Sequence, residues 1–518
     1  VSSSLGWREI KDKLFFADWV TCSIYRFGGP AGVGFLASRA NEIKPLFHGV
    51  EQEGLRGGNI PLSLIEGAAY SMECFQSKFS KAISEGWREA VCSLATFIKK
   101  EFKVDRFEFD DGKSIILLSS CVKNKEQKRT PNVILILADD IGFEGLSVNG
   151  SLSYKTPFLD ELASKGINFS NAISQPLCTP SRVKIMTGKY NYKNYDYFTH
   201  LNINEKTFGH LFKEKGYKTA VVGKWQLNAL KIKEVDQKVK EDNSRPYAFG
   251  FDEYCLWQLT KTKDLGERFA DPLIEQNGKF LPRNKDAYGP DVVSNYAIDF
   301  IKRNKDNSFF IYYPMLLVHD PFVPTPDSEE WSSPDLRYKK DNRFFVDMVE
   351  YMDKIVGKIV NELKANGIED NTLIMFVGDN GTNVKLVTKT IDGEIQGGKG
   401  NTITHGVHVP MVASWPSMIK KPLNYKGLID LTDFYATFSE ILDVPNDSDG
   451  KSMISIFRGE NISKRDMVSI YYDPRWGKNV SQHRNVFSQD YRYKLYKDGE
   501  FYDMEKDVLE NNPLEDKM

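Results

Sequence analysis

Six consecutive apolar residues, Val133-Ile134-Leu135-Ile136-Leu137-Ala138, end abruptly in Asp139-Asp140. A run with no polar face suits a strand covered on both sides, and therefore a sheet held between helices. The downstream pattern agrees. Thr156-Pro157 opens a helix with Asp160 and Glu161 in its first turn. A helix over 208–215 stops at Gly216 and a strand follows over 218–222. Helix 292–303 precedes strand 309–313, and the long amphipathic helix 344–363 precedes strand 372–377, which runs into Gly378-Asp379-Asn380. Alternation of this kind predicts an α/β fold with a mostly parallel sheet. Sites in such sheets gather at the carboxyl ends of strands. Asp139, Asp140, Asp379 and Asn380 are expected there, with His319 a few residues past its own strand.

After Trp415-Pro416 the pattern changes to a helix near 432–442, a turn at Asp449-Gly450 and a hairpin around Asp498-Gly499. The 518 residues exceed one ordinary core. The expected divisions are 1–112, a linker over 113–130, a main domain over 131–420 and a smaller one over 421–518. A net charge of -2 gives no electrostatic case for a nucleic-acid partner. No run approaches the roughly 20 apolar residues that span a membrane. The six cysteines form no Cys-x-x-Cys pair, which argues against a zinc site.

One cysteine has distinctive company. Pro176-Leu177-Cys178-Thr179-Pro180-Ser181-Arg182 is followed by Met186-Thr187-Gly188. A lone thiol is a nucleophile, a ligand or a core residue, and an Asp-Asp pair is more often a turn or a helix cap. Taken together with the acidic strand ends, the set resembles the type I, formylglycine-dependent sulfatase family over about 130–518. The resemblance implies an alkaline-phosphatase-like fold with a small C-terminal antiparallel sheet. It implies that Cys178 is oxidised to formylglycine, whose hydrate attacks sulfur, and that Arg182 fixes it. Leu177, Thr179, Pro180 and Ser181 would complete the segment read by the maturation enzyme. Lys224 would hold the hydrate and a sulfate oxygen, Lys399 the sulfate, and His319 would protonate the leaving alcohol. Sulfate ester cleavage also needs a cation against the sulfate oxygens. Asp139, Asp140, Asp379 and Asn380 offer hard oxygen ligands, completed by residue 178, that suit calcium, with magnesium the alternative.

Gln226 departs from the family, which carries histidine after Gly-Lys-Trp. Glutamine hydrogen-bonds but takes no proton, and losing such a base costs roughly 100- to 10,000-fold. The expected function is hydrolysis of sulfate esters on sulfated carbohydrate. The rival readings are a phosphodiesterase or phosphonate monoester hydrolase of the same superfamily, and a degenerate glycan-binding surface protein.

Two upstream stretches carry resemblances of their own. Residues 17–75, with Phe27-Gly28-Gly29-Pro30 and Gln52-Glu53-Gly54-Leu55-Arg56, resemble part of a cysteine desulfurase of the class V aminotransferase fold. Tyr25-Arg26 stands where that family has His-Lys, and arginine forms no Schiff base, so no functional pyridoxal phosphate is expected. Leu118-Ser119-Ser120-Cys121 resembles a bacterial lipobox, which implies a lipidated Cys121, membrane anchoring and a periplasmic or cell-surface location. The alternative is a buried strand ending in a free cysteine.

Overall fold

A computed structural model describes residues 19–23, 34–38, 130–262, 268–460, 465–473 and 486–515. The chain divides into two units, 1–128 and 129–518. In the first, Trp19–Ser23 pairs antiparallel with Gly34–Ser38. Most of the desulfurase-like stretch and all of the lipobox-like stretch lie outside the described residues.

The second unit is built on a ten-stranded sheet. Its strands are β1 (Asn132–Ala138), β2 (Ile167–Ile173), β3 (Lys218–Lys224), β4 (Glu253–Trp257), β5 (Ile274–Gln276), β6 (Lys279–Phe280), β7 (Phe309–Pro314), β8 (Thr372–Gly378), β9 (His408–Ser414) and β10 (Leu423–Asp430). The spatial order is β10-β2-β9-β8-β1-β7-β3-β4-β5-β6. From β8 to β4 every pairing is parallel. β9 enters antiparallel between β8 and β2, an insertion the local pattern did not predict.

All seven residues of β1 and of β8 are buried, as uninterrupted apolar runs require. Ile134, Ile136 and Ala138 point into one core with helices α1 (Pro157–Lys165), α4 (Gly289–Asn304) and α5 (Phe344–Ala365). Val133, Leu135 and Leu137 point into the other with α2 (Cys178–Thr187), α3 (Phe208–Glu214) and α6 (Asp433–Ile441). Strand alternation thus divides the helices between two faces. α4 begins at Gly289 rather than at 292, because Pro290 supplies a preorganised first turn. Close approach of β3 to β7 depends on Gly223: a Cβ there would lie 1.9 Å from the Pro314 carbonyl oxygen, and φ is 120°.

The C-terminal sheet has four antiparallel strands, β11 (Val468–Tyr471), β12 (Val486–Gln489), β13 (Tyr493–Tyr496) and β14 (Phe501–Asp503). β13 and β14 form the hairpin expected around Asp498-Gly499.

Candidate active site

Parallel pairing of β1 with β8 sets Ala138 opposite Gly378, so the two acidic strand ends emerge side by side. The Asp140 backbone N–H donates to Asp379 Oδ1 at 3.0 Å, and Asn380 Nδ2 donates to Asp140 Oδ1 at 3.0 Å. Asp140 holds a φ of 65°, a left-handed conformation that Asp tolerates better than most residues.

The cysteine motif is a helix start. All ten residues of α2 are buried, and Cys178 is the first of them. Ser181 Oγ donates to the Asp379 carbonyl at 2.5 Å and accepts from Gln175 N–H at 3.1 Å, which fixes the first turn against β8. The Cys178 thiol and single oxygens of Asp139 and Asp379 all lie within 4.8 Å of one another. Arg182 follows Cys178 by four residues and shares its face of the helix. Its Nη2 stands 3.1 Å from Asp379 and 3.5 Å from Asp139, and Nη1 donates to the Lys224 carbonyl at 3.0 Å.

Lys224 ends β3 fully buried, with Nζ 2.7 and 2.8 Å from the two Asp139 oxygens. Lys399 Nζ pairs with Asp140 Oδ2. Its loop is anchored from behind: Lys399 N–H donates to Thr382 O at 2.9 Å, Gly400 N–H to Pro176 O at 2.8 Å, and Lys494 Nζ of β13 to Thr402 O at 2.8 Å. His319, past β7, has Nδ1 2.9 Å from Asp320 Oδ1 and Nε2 3.7 Å from Asp140 Oδ2.

Burial works to raise the Asp139 carboxyl, but Lys224, His319, Arg182 and Arg268 together hold it well below the usual range. Asp379 is pushed up to about 7 by burial and by the Asp139 charge beside it. Burial lowers His319. Lys399 is raised, since Asp140 outweighs the cost of burial. Crowded buried carboxylates of this kind call for positive charge.

Nine of the ten residues singled out in the sequence are joined by these contacts. The tenth, Gln226, sits beside them with a φ of 58° and a buried Oε1 that has no hydrogen-bond partner among the described residues. It lines a cavity of about 940 Å³ together with His319 and Arg268. Arg268 was not anticipated. It lies on the Trp257 ring at 4.1 Å and places Nη1 3.4 Å from Asp139 Oδ2. A lone arginine away from any strand end offers no local signal.

The family described as Sulfatase matches residues 131–444, and the family described as N-sulphoglucosamine sulphohydrolase, C-terminal, matches 401–518. The chain belongs to the sulfatase family. It is a sulfuric ester hydrolase. A sulfatase of Formosa agariphila is 26% identical over 499 residues, covering 77% of this chain and 87% of that protein. An N-acetylgalactosamine-6-O-sulfatase of Bacteroides thetaiotaomicron is 26% identical over 431 residues, covering 68% and 82%. Among solved structures, Ps i-CgsB superposes with a TM-score of 0.60 at 26% identity, over 74% of this sulfatase and 88% of that chain. That protein has also been solved in complex with k-i-k-neocarrahexaose. Among the described residues, no helix is long and apolar enough to cross a membrane.

Proposed function

We propose that this sulfatase acts on sulfated carbohydrate, with residue 178 matured to formylglycine and a divalent cation, calcium in the first instance and magnesium as the alternative, held by Asp139, Asp140, Asp379 and Asn380. The observation that carries the reading is the meeting of the first residue of α2 with two acidic strand ends, within 4.8 Å for Cys178, Asp139 and Asp379. The donor set fits a hard cation: three carboxylates and an amide, with Asn380 Oδ1 buried and lacking a hydrogen-bond partner among the described residues. Relatives named for action on N-acetylgalactosamine sulfate, and one solved with a carbohydrate, support the substrate class.

When present, the cation would neutralise sulfate oxygens and the hydrated aldehyde would supply the nucleophile. The remaining roles fall to side chains. Arg182 orients residue 178 through its ties to Asp379 and the Lys224 carbonyl. Lys224 and Lys399 bring ammonium groups to the sulfate oxygens, and Asp139 and Asp140 hold them in place. The bond from His319 Nδ1 to Asp320 leaves Nε2 to carry the proton for the leaving oxygen. Gln226 offers an amide where a base is usual, and orients water or a sugar hydroxyl.

Leu177, Cys178, Thr179, Ser181 and Arg182 are all at most 6% exposed. A maturation enzyme therefore has to read this segment before folding is complete. Secretion to the periplasm or cell surface with a lipidated Cys121 belongs to the same proposal, and radiolabelled palmitate incorporation lost in Cys121→Ala tests it.

The central test is sulfate release from 4-methylumbelliferyl sulfate and sulfated sugars by protein made with a maturation enzyme, beside an aryl phosphate diester. Wild type is expected to release sulfate, and Cys178→Ala to release none. Mass spectrometry should find formylglycine at residue 178. Equal turnover by Cys178→Ala refutes the role of residue 178, and faster diester cleavage moves the assignment to the phosphodiesterase reading.

A further inference from the structure

We infer that the cavity beside His319 is a subsite for a second anionic substituent of the substrate, a sulfate or a carboxylate, and that Arg268 is the residue that reads it. The inference rests on the sulfatase reading above and adds a substrate class to it: carbohydrates that carry a further negative group near the ester to be cleaved.

The cavity measures about 940 Å³, near the upper end for a small-ligand pocket, so it has room for a sugar beside the reacting group. Lys224 and Lys399, the ammonium groups assigned to the scissile sulfate, do not line it, whereas Arg268 and His319 do. Arg268 is 6% exposed, and Trp257 holds its guanidinium face at 4.1 Å. Among the described residues Asp139 is the one carboxylate within 4 Å of it, at 3.4 Å through Nη1, while Asp140 and Asp320 act on it from farther off. A guanidinium has five N–H donors in a planar fork that matches sulfate and carboxylate oxygens. Held by a ring, facing the cavity and paired to Asp139 through Nη1, the guanidinium has further N–H donors that an anion in the cavity can engage.

The charge on the walls has the same sense. Exposed Lys233, Lys340 and Lys385 line the outer cavity. The acidic residues there are Glu234, Asp320 and Asp341. Asp320 is engaged by His319 at 2.9 Å, and Asp341 lies 3.6 Å from Arg343. Gln226 and Gln258 add buried Oε1 atoms without partners among the described residues, suited to sugar hydroxyls. The cavity thus pairs a fixed inner cation with a basic outer rim and neutral polar groups between them.

The test uses full-length Cys178→Ala protein with calcium present, so that binding is read without turnover. Calorimetry compares three sugars that share one 6-sulfate on N-acetylgalactosamine. One has no second anion, one a 4-sulfate, and one a neighbouring uronate. The expected result is tighter binding of at least one two-anion sugar, with Arg268→Met weakening that sugar about 10- to 100-fold more than the one-anion sugar. Preference for the 4-sulfate identifies the second group as sulfate, and preference for the uronate identifies it as carboxylate. Arg268→Lys should restore part of the affinity. Lys340→Ala and Lys385→Ala should cost up to about fivefold and only at low salt. Equal affinity for all three sugars, failure of all three to bind, or equal weakening of one-anion and two-anion sugars by Arg268→Met overturns the inference. Turnover of 4-methylumbelliferyl sulfate by matured wild type reports on the sulfatase reading separately.

Discussion

Lys224→Met asks whether the buried carboxylates are arranged for a cation. The substitution keeps most of the side-chain bulk and removes the ammonium 2.7 and 2.8 Å from the oxygens of fully buried Asp139. Breaking a buried ion pair from one side costs about 3–5 kcal/mol. Arg182 at 3.5 Å and Arg268 at 3.4 Å still face Asp139, which places the loss near the lower figure, about 3 kcal/mol. At roughly 2 °C per kcal/mol for a large unit, melting should fall by about 6 °C. That gap belongs to protein stripped with EDTA. On the proposed reading a bound calcium ion would supply the missing charge, and at a hundred times its Kd it would add about 2.7 kcal/mol to whichever protein binds it. The variant, freed of a competing amine, should gain more than wild type, so the gap narrows. Differential scanning fluorimetry with and without calcium reads this directly. Aryl sulfate turnover with calcium present should fall about 100- to 1,000-fold, as for the loss of one donor to developing negative charge. Equal melting of variant and wild type in EDTA, or a gap that calcium leaves unchanged, refutes the reasoning.

Restoring the family residue with Gln226→His should raise kcat by about 100-fold, the lower end for a proton-transferring side chain; an unchanged kcat would mean that another base already serves. Lys494→Met removes bonds of 2.8 Å to Thr402 O and 2.6 Å to Glu510 behind the Lys399 loop, so urea unfolding should show a loss of about 3–5 kcal/mol and turnover should drop with it. Intact turnover in that variant would separate the C-terminal sheet from the site. His408 stacks on Phe143 at 4.2 Å, with Nε2–H donating to Ser170 O at 2.8 Å, and burial lowers its pKa from 6.5 to about 4. The unfolded histidine takes its proton first as pH falls. The folded protein therefore keeps this contribution above pH 6.5 and loses up to about 3 kcal/mol as pH drops towards 4. His408→Leu should flatten that part of a urea-unfolding pH series, and an identical slope in the variant would exclude His408 as the source.

Much of the architecture could be read from local pattern, because the information is local. Val133 to Ala138 has no polar face, so β1 had to be covered on both sides whatever its neighbours. The 3.6-residue period of α5 and the Asp-Gly turn before β14 are likewise written in adjacent residues. The acidic strand ends and the Cys178 motif stood out because their residue types are rare in combination. The antiparallel entry of β9 and the pairing of β1 with β8 depend on register between segments far apart in the chain, 240 residues for Asn132 and Thr372, which no local period encodes.

The site divides in the same way. Its chemistry was visible as residue types, but its electrostatics were not. Whether Lys224 meets Asp139 or Lys399 meets Asp140 depends on where two separate chain segments come to rest in three dimensions. Arg268 shows this most clearly: an isolated arginine has no pattern to detect, and only the packing of Trp257 beneath it and Asp139 beside it makes it part of the site. Periodicity reports which way a side chain faces, whereas partnership across the fold is decided by long-range packing.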